Sequence, residues 1–181
     1  MGLVADVFSE EILKKLRGCR AIGHVRYSTT GSSDLVNAQP ILCEYRRGWV
    51  AVAHNGNLIN TLELRKKLEN QGSIFRTTAD SEILIHLLAR SVKTDFIEAL
   101  EESLNSLRGA YSLVIMNEQY VIGLRDPLGI RPLSLGKVKD SYVFCSETTA
   151  LDIIGGEFIR TIEPGEMVII NREGNLTSHF Y

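Results

Sequence analysis

Apolar residues recur at helical spacing in four segments of the first 107 residues. The pattern predicts a short helix that starts at Asp6 or Ser9 and ends before Gly18, and helices over residues 60–71, 80–90 and 94–107. Asn60 and Glu63 have the spacing of a capping box for the second of these. The helix at 80–90 has almost no polar face, so we expect it to be buried between layers.

The other apolar runs are short and rich in β-branched residues, which favours strands. Two of them, at 21–25 and 49–54, each end in a polar loop that contains glycine. After the last helix the period changes to two, and turn residues separate six predicted strands at 111–116, 120–125, 133–135, 142–145, 158–162 and 167–170. Helices followed by a meander predict an α+β fold with antiparallel sheet layered against helices.

Composition narrows the class of protein. The 181 residues suit one domain, and 44% hydrophobic with 23% charged residues is typical of a globular protein. A net charge of -2 without a basic stripe argues against nucleic acid as a partner. No apolar run reaches the roughly 18 residues of a membrane span. The three cysteines, at positions 19, 43 and 145, are widely spaced. This pattern predicts that the protein resides in the reducing cytoplasm and has no metal site.

Residues 23–31 read GHVRYSTTG, so a strand end delivers Arg26 and Tyr27 into a run of hydroxyl side chains that Gly31 closes. An arginine there can grip a carboxylate through two parallel hydrogen bonds, a geometry that lysine does not reproduce. Small residues after it would let the loop close over a ligand. For Arg26 taken alone, the simpler interpretation is a surface arginine in a polar loop.

Residues 53–58 read AHNGNL at the end of an apolar strand. By itself Asn-Gly marks a tight turn, but the flanking residues do not alternate as those of a two-residue hairpin would. The catalytic interpretation is an oxyanion hole, in which the Asn55 amide and the Gly56 backbone N–H donate to an acyl oxygen.

Residues 77–82 read TTADSE, where Asp80 is placed to cap the helix that follows. A carboxylate at this point can also hold an ammonium group, and capping does not exclude that role. Arg26 and Asp80 would then bracket the α-carboxylate and α-amine of an amino acid.

Residues 125–133 read RDPLGIRPL, where Asp126, Pro127 and Gly129 force a turn between two strands. We favour a structural hairpin loop with a salt bridge over a catalytic role for this motif. Ser146 and Glu147 are predicted to be the cap and first turn of a short helix.

In this order along the chain, the four motifs resemble the glutaminase domain of the class II glutamine amidotransferases, which use an N-terminal nucleophile. The resemblance implies a four-layer αββα sandwich with antiparallel sheets. It also implies a role for seven residues: the α-carboxylate of glutamine is bound by Arg26, its α-amine by Asp80, the oxyanion by Asn55 and Gly56, and the glutamine loop is formed by Tyr27, Ser28 and Thr29.

The sequence departs from the family at the nucleophile. In the family this is a cysteine at the mature N-terminus whose own α-amine serves as the base, whereas residue 1 here is Met1 and Cys19, Cys43 and Cys145 are internal. We therefore assign the role to none of the three. Residues 1–181 are expected to be a partial glutaminase domain that lacks the cysteine segment, is incomplete at its N-terminus, and is inactive alone.

GHVRYSTTG and RDPLGIRPL look more like the amidophosphoribosyltransferase family than like glucosamine-6-phosphate synthase, asparagine synthetase or glutamate synthase. That resemblance implies a glutaminase that supplies ammonia to phosphoribosyl pyrophosphate, giving 5-phosphoribosylamine in de novo purine biosynthesis. It implies a phosphoribosyltransferase domain after Tyr181 in the same parent chain, in a homo-oligomer. No cofactor is expected in this domain, magnesium is expected in the transferase domain, and an iron–sulfur cluster is left open.

Two alternatives stay open at this point. One is a glutamine-binding or assembly module that keeps the pocket and performs no chemistry, which predicts glutamine binding without ammonia release. The other is the glutaminase domain of glucosamine-6-phosphate synthase, whose acceptor is fructose-6-phosphate. The sequence beyond Tyr181 would separate the second alternative from a phosphoribosyltransferase.

Overall fold

The computed structural model describes residues 4–25 and 35–181. Its helices are α1 (Val4–Val7), α2 (Glu10–Lys15), α3 (Thr61–Asn70), α4 (Glu82–Arg90), α5 (Phe96–Leu104) and α6 (Thr149–Ile153), and a 3-10 turn spans Leu35–Asn37. Its strands are β1 (Ile41–Tyr45), β2 (Gly48–Leu58), β3 (Gly109–Asn117), β4 (Tyr120–Arg125), β5 (Ser134–Val138), β6 (Ser141–Cys145), β7 (Glu157–Thr161), β8 (Glu166–Asn171) and β9 (Leu176–Phe180).

The strands form two antiparallel sheets, a larger one in the order β1-β2-β3-β4-β8-β9 and a smaller one in the order β6-β5-β7. Leu135 of β5 packs with Val168 of the larger sheet, whereas the neighbouring Gly136 faces Leu151 of α6. Because successive residues of a strand point to opposite faces, the smaller sheet lies between the larger sheet and α6. Helices α3, α4 and α5 cover the other face of the larger sheet. The layers therefore follow the predicted αββα order.

The main core lies between the three helices and the larger sheet. It includes Leu84 and Leu88 of α4, Leu100 of α5, and Ile115 and Ile122 of the sheet, each at most 1% exposed. Burying one such side chain stabilises the fold by about 1.5–3 kcal/mol. This core fixes β2 and α4, the two elements that lie beside the predicted site residues.

The second core lies between the two sheets, where Leu133, Leu135, Ile162 and Val168 are buried together. Close packing here requires a glycine in β4, because a Cβ atom on Gly123 would lie 2.5 Å from the Phe144 ring. Such a contact is far below van der Waals distance, so a larger residue would have to displace the Phe144 ring.

Strand β2 is longer than predicted, since it continues past His54 to Leu58 and pairs with β3 along that length. The second half of β2 is rich in polar residues, so a search for alternating apolar residues does not predict a strand there. Residues 21–25, which were predicted to be a strand, join no sheet within the described parts of the chain. Strands β1 and β9 were not predicted, because both are edge strands in which exposed polar residues interrupt the apolar run.

The helices occur where the apolar spacing predicts them, but their caps differ. Asn60 makes no capping hydrogen bond to α3. Its side chain instead donates to the Ser106 carbonyl at 2.9 Å and accepts from the Arg108 backbone N–H at 3.1 Å, so the predicted capping box is wrong. Helix α5 is capped by Asp95, which accepts from two backbone N–H groups of its first turn.

The predicted first helix is two short helices, and Ser9 caps the second by accepting from the Ile12 N–H at 3.4 Å. Among the helices of residues 4–25 and 35–181, none has the length and apolarity that crossing a bilayer requires.

Candidate active site

An open cleft of about 1470 Å³ lies where the second half of β2 passes the loop before α4. Its walls include residues 22–25, 54–59 and 78–80, together with Arg131, Ser146 and Glu147. Asn55, Gly56 and Asp80 thus line one cavity, although 24 residues separate the last from Gly56. The fold therefore brings together the predicted site residues that the structure describes.

Asn55 and Gly56 lie within β2, opposite Ser112 and Tyr111 of β3, and not in a turn. Gly56 has φ +151°, and a Cβ atom there would lie 2.0 Å from the Ala110 carbonyl oxygen. No other residue fits, because the neighbouring strand occupies the space of a side chain. The Asn-Gly pair is consequently held rigidly along the cleft, which an oxyanion hole requires of its donors.

Asp80 does not cap α4, because the N-cap position is Ser81. One carboxylate oxygen of Asp80 lies 3.1 Å from His54 Nδ1, and the other accepts from the Leu58 N–H at 3.1 Å. These partners flank Asn55 and Gly56 on the same strand. The predicted capping role is wrong, and the carboxylate instead lies against the Asn-Gly segment.

Asp80 carries a negative charge at neutral pH. Burial raises the pKa of its carboxyl, but hydrogen bonds from His54 and Leu58 and the charge interaction with His54 outweigh burial, so the pKa lies below its ordinary value. The side chain is 23% exposed. An ionised carboxylate in a cleft can accept further hydrogen bonds from a cationic ligand.

The loop that presents Asp80 is held from two sides. Glu82 of α4 accepts from the Arg76 and Thr77 backbone N–H groups, both at 2.8 Å, and from the Thr77 hydroxyl at 2.7 Å. Asn37 accepts from the Thr78 N–H at 2.9 Å. These contacts fix the backbone that precedes Asp80 without using its carboxylate.

Sequence reasoning gave His54 no role. Its ring is buried and contacts Asp80, and its backbone N–H donates to the Gln39 side-chain oxygen at 2.7 Å. The sequence did offer one clue, a histidine at the end of an apolar strand, because a histidine ring that is buried there needs a hydrogen-bond partner. Nothing local in the sequence identifies that partner as Asp80.

Four of the predicted site residues lie outside the described residues, namely Arg26, Tyr27, Ser28 and Thr29. Their roles at a glutamine carboxylate and in a glutamine loop stay predictions. Val25, the last described residue before them, lines the cleft.

The first part of the RDPLGIRPL motif builds the turn, as the turn residues favoured, whereas Arg131 lines the cleft. Asp126 is fully buried and accepts from the backbone N–H groups of Tyr111, Leu128 and Ile130 at 3.2, 2.9 and 3.1 Å. The predicted salt bridge is wrong, because Arg125 donates to backbone carbonyls, including that of Ile162 at 2.6 Å. The motif joins β4 to the second core.

Ser146 and Glu147 line the cleft but do not start a helix, because α6 begins at Thr149 with Thr148 in the N-cap position. The Ala150 N–H donates to the Glu147 carbonyl at 3.2 Å. The N-cap at Thr148 lies two residues after Ser146, so the predicted start of the helix is two residues too early.

None of the three cysteines lines the cleft. Cys19 is exposed, Cys43 lies on β1 beside a separate groove, and Cys145 ends β6. Burial raises the pKa of the Cys145 thiol, which disfavours the nucleophilic thiolate. Across 4–25 and 35–181, no group of three or more His, Cys, Asp or Glu side chains is arranged to hold a metal ion.

Comparison with known proteins shows the family. Residues 24–153 match the glutamine amidotransferase domain family. The chain belongs to that family. The family inferred from the motifs is therefore confirmed.

This amidotransferase domain is similar to two curated proteins named amidophosphoribosyltransferase. It is 49% identical to that of Archaeoglobus fulgidus over 178 residues, which are 97% of this chain and 39% of the relative. It is 47% identical to that of Bacillus subtilis over 180 residues, which are 99% of this chain and 38% of the relative. The chain thus spans about two fifths of the length of these relatives.

A solved structure gives the same result for the fold. The glutamine phosphoribosylpyrophosphate amidotransferase of Bacillus subtilis, complexed with ADP and GMP, superposes with a TM-score of 0.81 at 46% identity. The superposition covers 87% of this chain and 34% of that one. The predicted α+β fold of two antiparallel sheets and helices is confirmed.

Proposed function

We propose that the amidotransferase domain hydrolyses the side-chain amide of glutamine and that the protein delivers the ammonia to phosphoribosyl pyrophosphate, giving 5-phosphoribosylamine for purine biosynthesis. The family match and the names of the similar proteins support this activity. One structural observation carries it: the ionised Asp80 carboxylate lies against the strand segment that holds Asn55 and Gly56. Asp80, which would bind the substrate amine, then lies in the same cleft as Asn55 and Gly56, which would donate to the acyl oxygen of the same small substrate.

In this proposal Asp80 accepts hydrogen bonds from the α-ammonium group of glutamine. Asn55 and Gly56 donate to the amide oxygen as it becomes an oxyanion, and such donors contribute most when charge develops in the transition state. Arg26 binds the α-carboxylate as a planar fork, and Tyr27, Ser28 and Thr29 complete the pocket.

The reaction requires a thiol that attacks the amide carbon, expels ammonia and leaves a glutamyl thioester, which water hydrolyses to glutamate. Cys19, Cys43 and Cys145 do not line the cleft. We therefore propose that a cysteine at the mature N-terminus, with its α-amine as the base, is the nucleophile. The same proposal places residues 1–181 in a longer, homo-oligomeric chain whose phosphoribosyltransferase domain uses magnesium.

A chimera tests the chemistry. This chain replaces the matching segment of the Bacillus subtilis relative, which it covers at 47% identity, and ammonia release from glutamine is measured. Asn55→Ala should lower kcat about 10²- to 10³-fold and change KM much less. The matched control is Asn105→Ala, the same change at the exposed end of α5. A rise in KM at constant kcat would make Asn55 a ground-state contact and refute the oxyanion role.

The acceptor is tested in the full-length protein, because the transferase domain of the chimera is that of the relative. Phosphoribosyl pyrophosphate should be consumed in step with glutamine, and fructose-6-phosphate should not. Glutamine binding without ammonia release by the full-length protein would favour a binding module without chemistry and would refute the proposed enzyme.

A further inference from the structure

His54 is a buried residue that the glutaminase chemistry proposed above does not use. The residue is 4% exposed, and its Nδ1 lies 3.1 Å from Asp80 Oδ1. Its second ring nitrogen, Nε2, is also buried and has no hydrogen-bond partner among the residues that the structure describes. A buried polar atom without a partner requires an explanation.

The two ring nitrogens determine the state of the ring. An ionised carboxylate only accepts hydrogen bonds, so His54 Nδ1 must carry a proton to bond Asp80. The ring therefore donates from Nδ1, and the partly exposed Asp80 carboxylate keeps acceptor capacity for a cationic ligand.

The position of the ring is fixed by the sheet. His54 lies opposite Leu113 of β3, and its backbone N–H donates to Gln39 Oε1 at 2.7 Å. Leu58, four residues along the same strand, donates its N–H to the other oxygen of Asp80 at 3.1 Å. The His54 and Leu58 donors thus come from β2, one on each side of Asn55 and Gly56, and the Ser81 backbone N–H is a third donor to the carboxylate.

We propose that His54 is a positioning residue that orients Asp80 toward the α-ammonium group of the substrate. Because Asn55 follows His54 on a rigid strand, the ring also sets the distance between the amine anchor and the oxyanion donors. The proposal rests on the proposed function, since it needs Asp80 to bind the amine. His54 itself touches no reacting atom.

The proposal predicts a selective effect on ligands. Glutaramate is glutamine without its α-amino group, so it should use the cleft without using Asp80. Loss of the His54 donor should weaken glutamine binding and leave glutaramate binding unchanged. A residue that only fills space would affect both ligands alike.

The test compares two substitutions of similar shape in the chain. His54→Asn keeps an amide donor near the position of Nδ1, and His54→Leu removes the donor. Dissociation constants for glutamine and glutaramate are measured by calorimetry. We expect His54→Leu to weaken glutamine binding about 10-fold relative to glutaramate, and His54→Asn to recover most of that loss, because a hydrogen bond to a charged group is stronger than a neutral one. Equal losses for both ligands, or equal effects of both variants, would overturn the proposal.

Asp80→Asn separates this inference from the proposed function. If Asp80→Asn does not weaken glutamine relative to glutaramate, Asp80 is not the amine anchor and the proposed function loses its main support. If it does and His54→Leu does not, only the positioning role fails. In the double variant the two losses should not add, because the ring acts through the carboxylate.

A measurement on the unaltered chain tests the proposal without relying on the binding properties of the variants. Nitrogen-15 chemical shifts distinguish a histidine protonated at Nδ1 from one protonated at Nε2, and the His54 signal is assigned by its loss in His54→Asn. A ring protonated at Nδ1 is expected. A ring protonated at Nε2 alone has no proton for Asp80 and would overturn the proposal.

Discussion

Two aspartates show how similar carboxylates come to differ in use. Asp126 is fully buried and accepts from three backbone N–H groups of its own loop and the adjoining strand. Asp80 is 23% exposed in its side chain and is held by His54 and Leu58 of β2 and by the Ser81 backbone N–H. The first is saturated by the chain, whereas the second keeps acceptor capacity toward the cleft. A fully buried carboxylate that the chain saturates builds a loop, and one that stays partly exposed in a cleft can also bind a ligand.

The strongest test of this comparison is Asp126→Ala. The change leaves the N–H groups of Tyr111, Leu128 and Ile130 without their acceptor, and the Tyr111 bond is buried. An unpaired buried donor costs about 1–3 kcal/mol and a part-buried one less, so the free energy of unfolding should fall by about 3 kcal/mol in total. Urea unfolding measures it. Glutamine affinity of the folded fraction should stay within about two-fold, because Asp126 does not line the cleft. A loss of stability below about 1 kcal/mol would contradict a structural role.

Asp80→Asn should give the opposite result. Removing the charge takes away a charge-assisted hydrogen bond to the substrate ammonium, so the dissociation constant for glutamine should rise roughly 10- to 100-fold. Stability should fall by only about 1 kcal/mol, less than in Asp126→Ala, because the amide oxygen still accepts from the Leu58 N–H and only the His54 donor loses its acceptor. Calorimetric titration and urea unfolding of the same sample give both values. Lower stability with unchanged glutamine affinity would place Asp80 in the same class as Asp126.

The sequence predicted these two aspartates unequally, and the reason is physical. For Asp126 the turn residues Pro127 and Gly129 are adjacent, so local chemistry was enough to predict a structural loop. For Asp80 the same local reasoning predicted a helix cap, which is wrong. Its partners His54 and Leu58 lie 26 and 22 residues earlier in the chain, and only the tertiary fold brings them together.

The wider fold follows the same rule. Helices α3, α4 and α5 and the strands from β3 to β8 were predicted near their positions, because their apolar spacing is local and regular. The extension of β2 through Gly56 was not, because its polar residues are paired only by β3. The site residues were proposed from a family resemblance, and the placement of Asn55, Gly56 and Asp80 around one cleft came from the structure.

A third carboxylate, Glu166, extends the comparison. It is 3% exposed, binds Arg160 through two hydrogen bonds of 2.6 and 2.7 Å, and accepts from the Glu163 N–H at 2.8 Å. Glu166→Gln should therefore act as Asp126→Ala does and lower the free energy of unfolding, by about 1–2 kcal/mol. The control is Glu69→Gln, which alters the exposed Arg65–Glu69 pair and should cost less than about 0.5 kcal/mol. Equal costs at the two sites would show that burial does not decide the outcome.

The smallest predicted effect is a pH dependence at Asp80. Because its pKa is lowered below the ordinary 3.8, the folded state holds this proton less tightly than the unfolded state does. The stability that the ionised carboxylate contributes is then fully present well above pH 3.8 and is lost as pH falls through the lower, folded-state pKa. Unfolding free energies of the unaltered chain and of Asp80→Asn should differ by a constant amount from about pH 7 to 5.

Below that range the difference should shrink, because protonated aspartate and asparagine are both neutral. Urea unfolding at pH 7, 5, 4 and 3 measures it, and saturating glutamine should move the decline to still lower pH, since a bound ammonium group favours the ionised form. A decline that begins above about pH 5 would mean that burial outweighs the His54 and Leu58 hydrogen bonds and raises the pKa. Asp80 would then be partly neutral and would lose the charge with which it is proposed to bind an ammonium group.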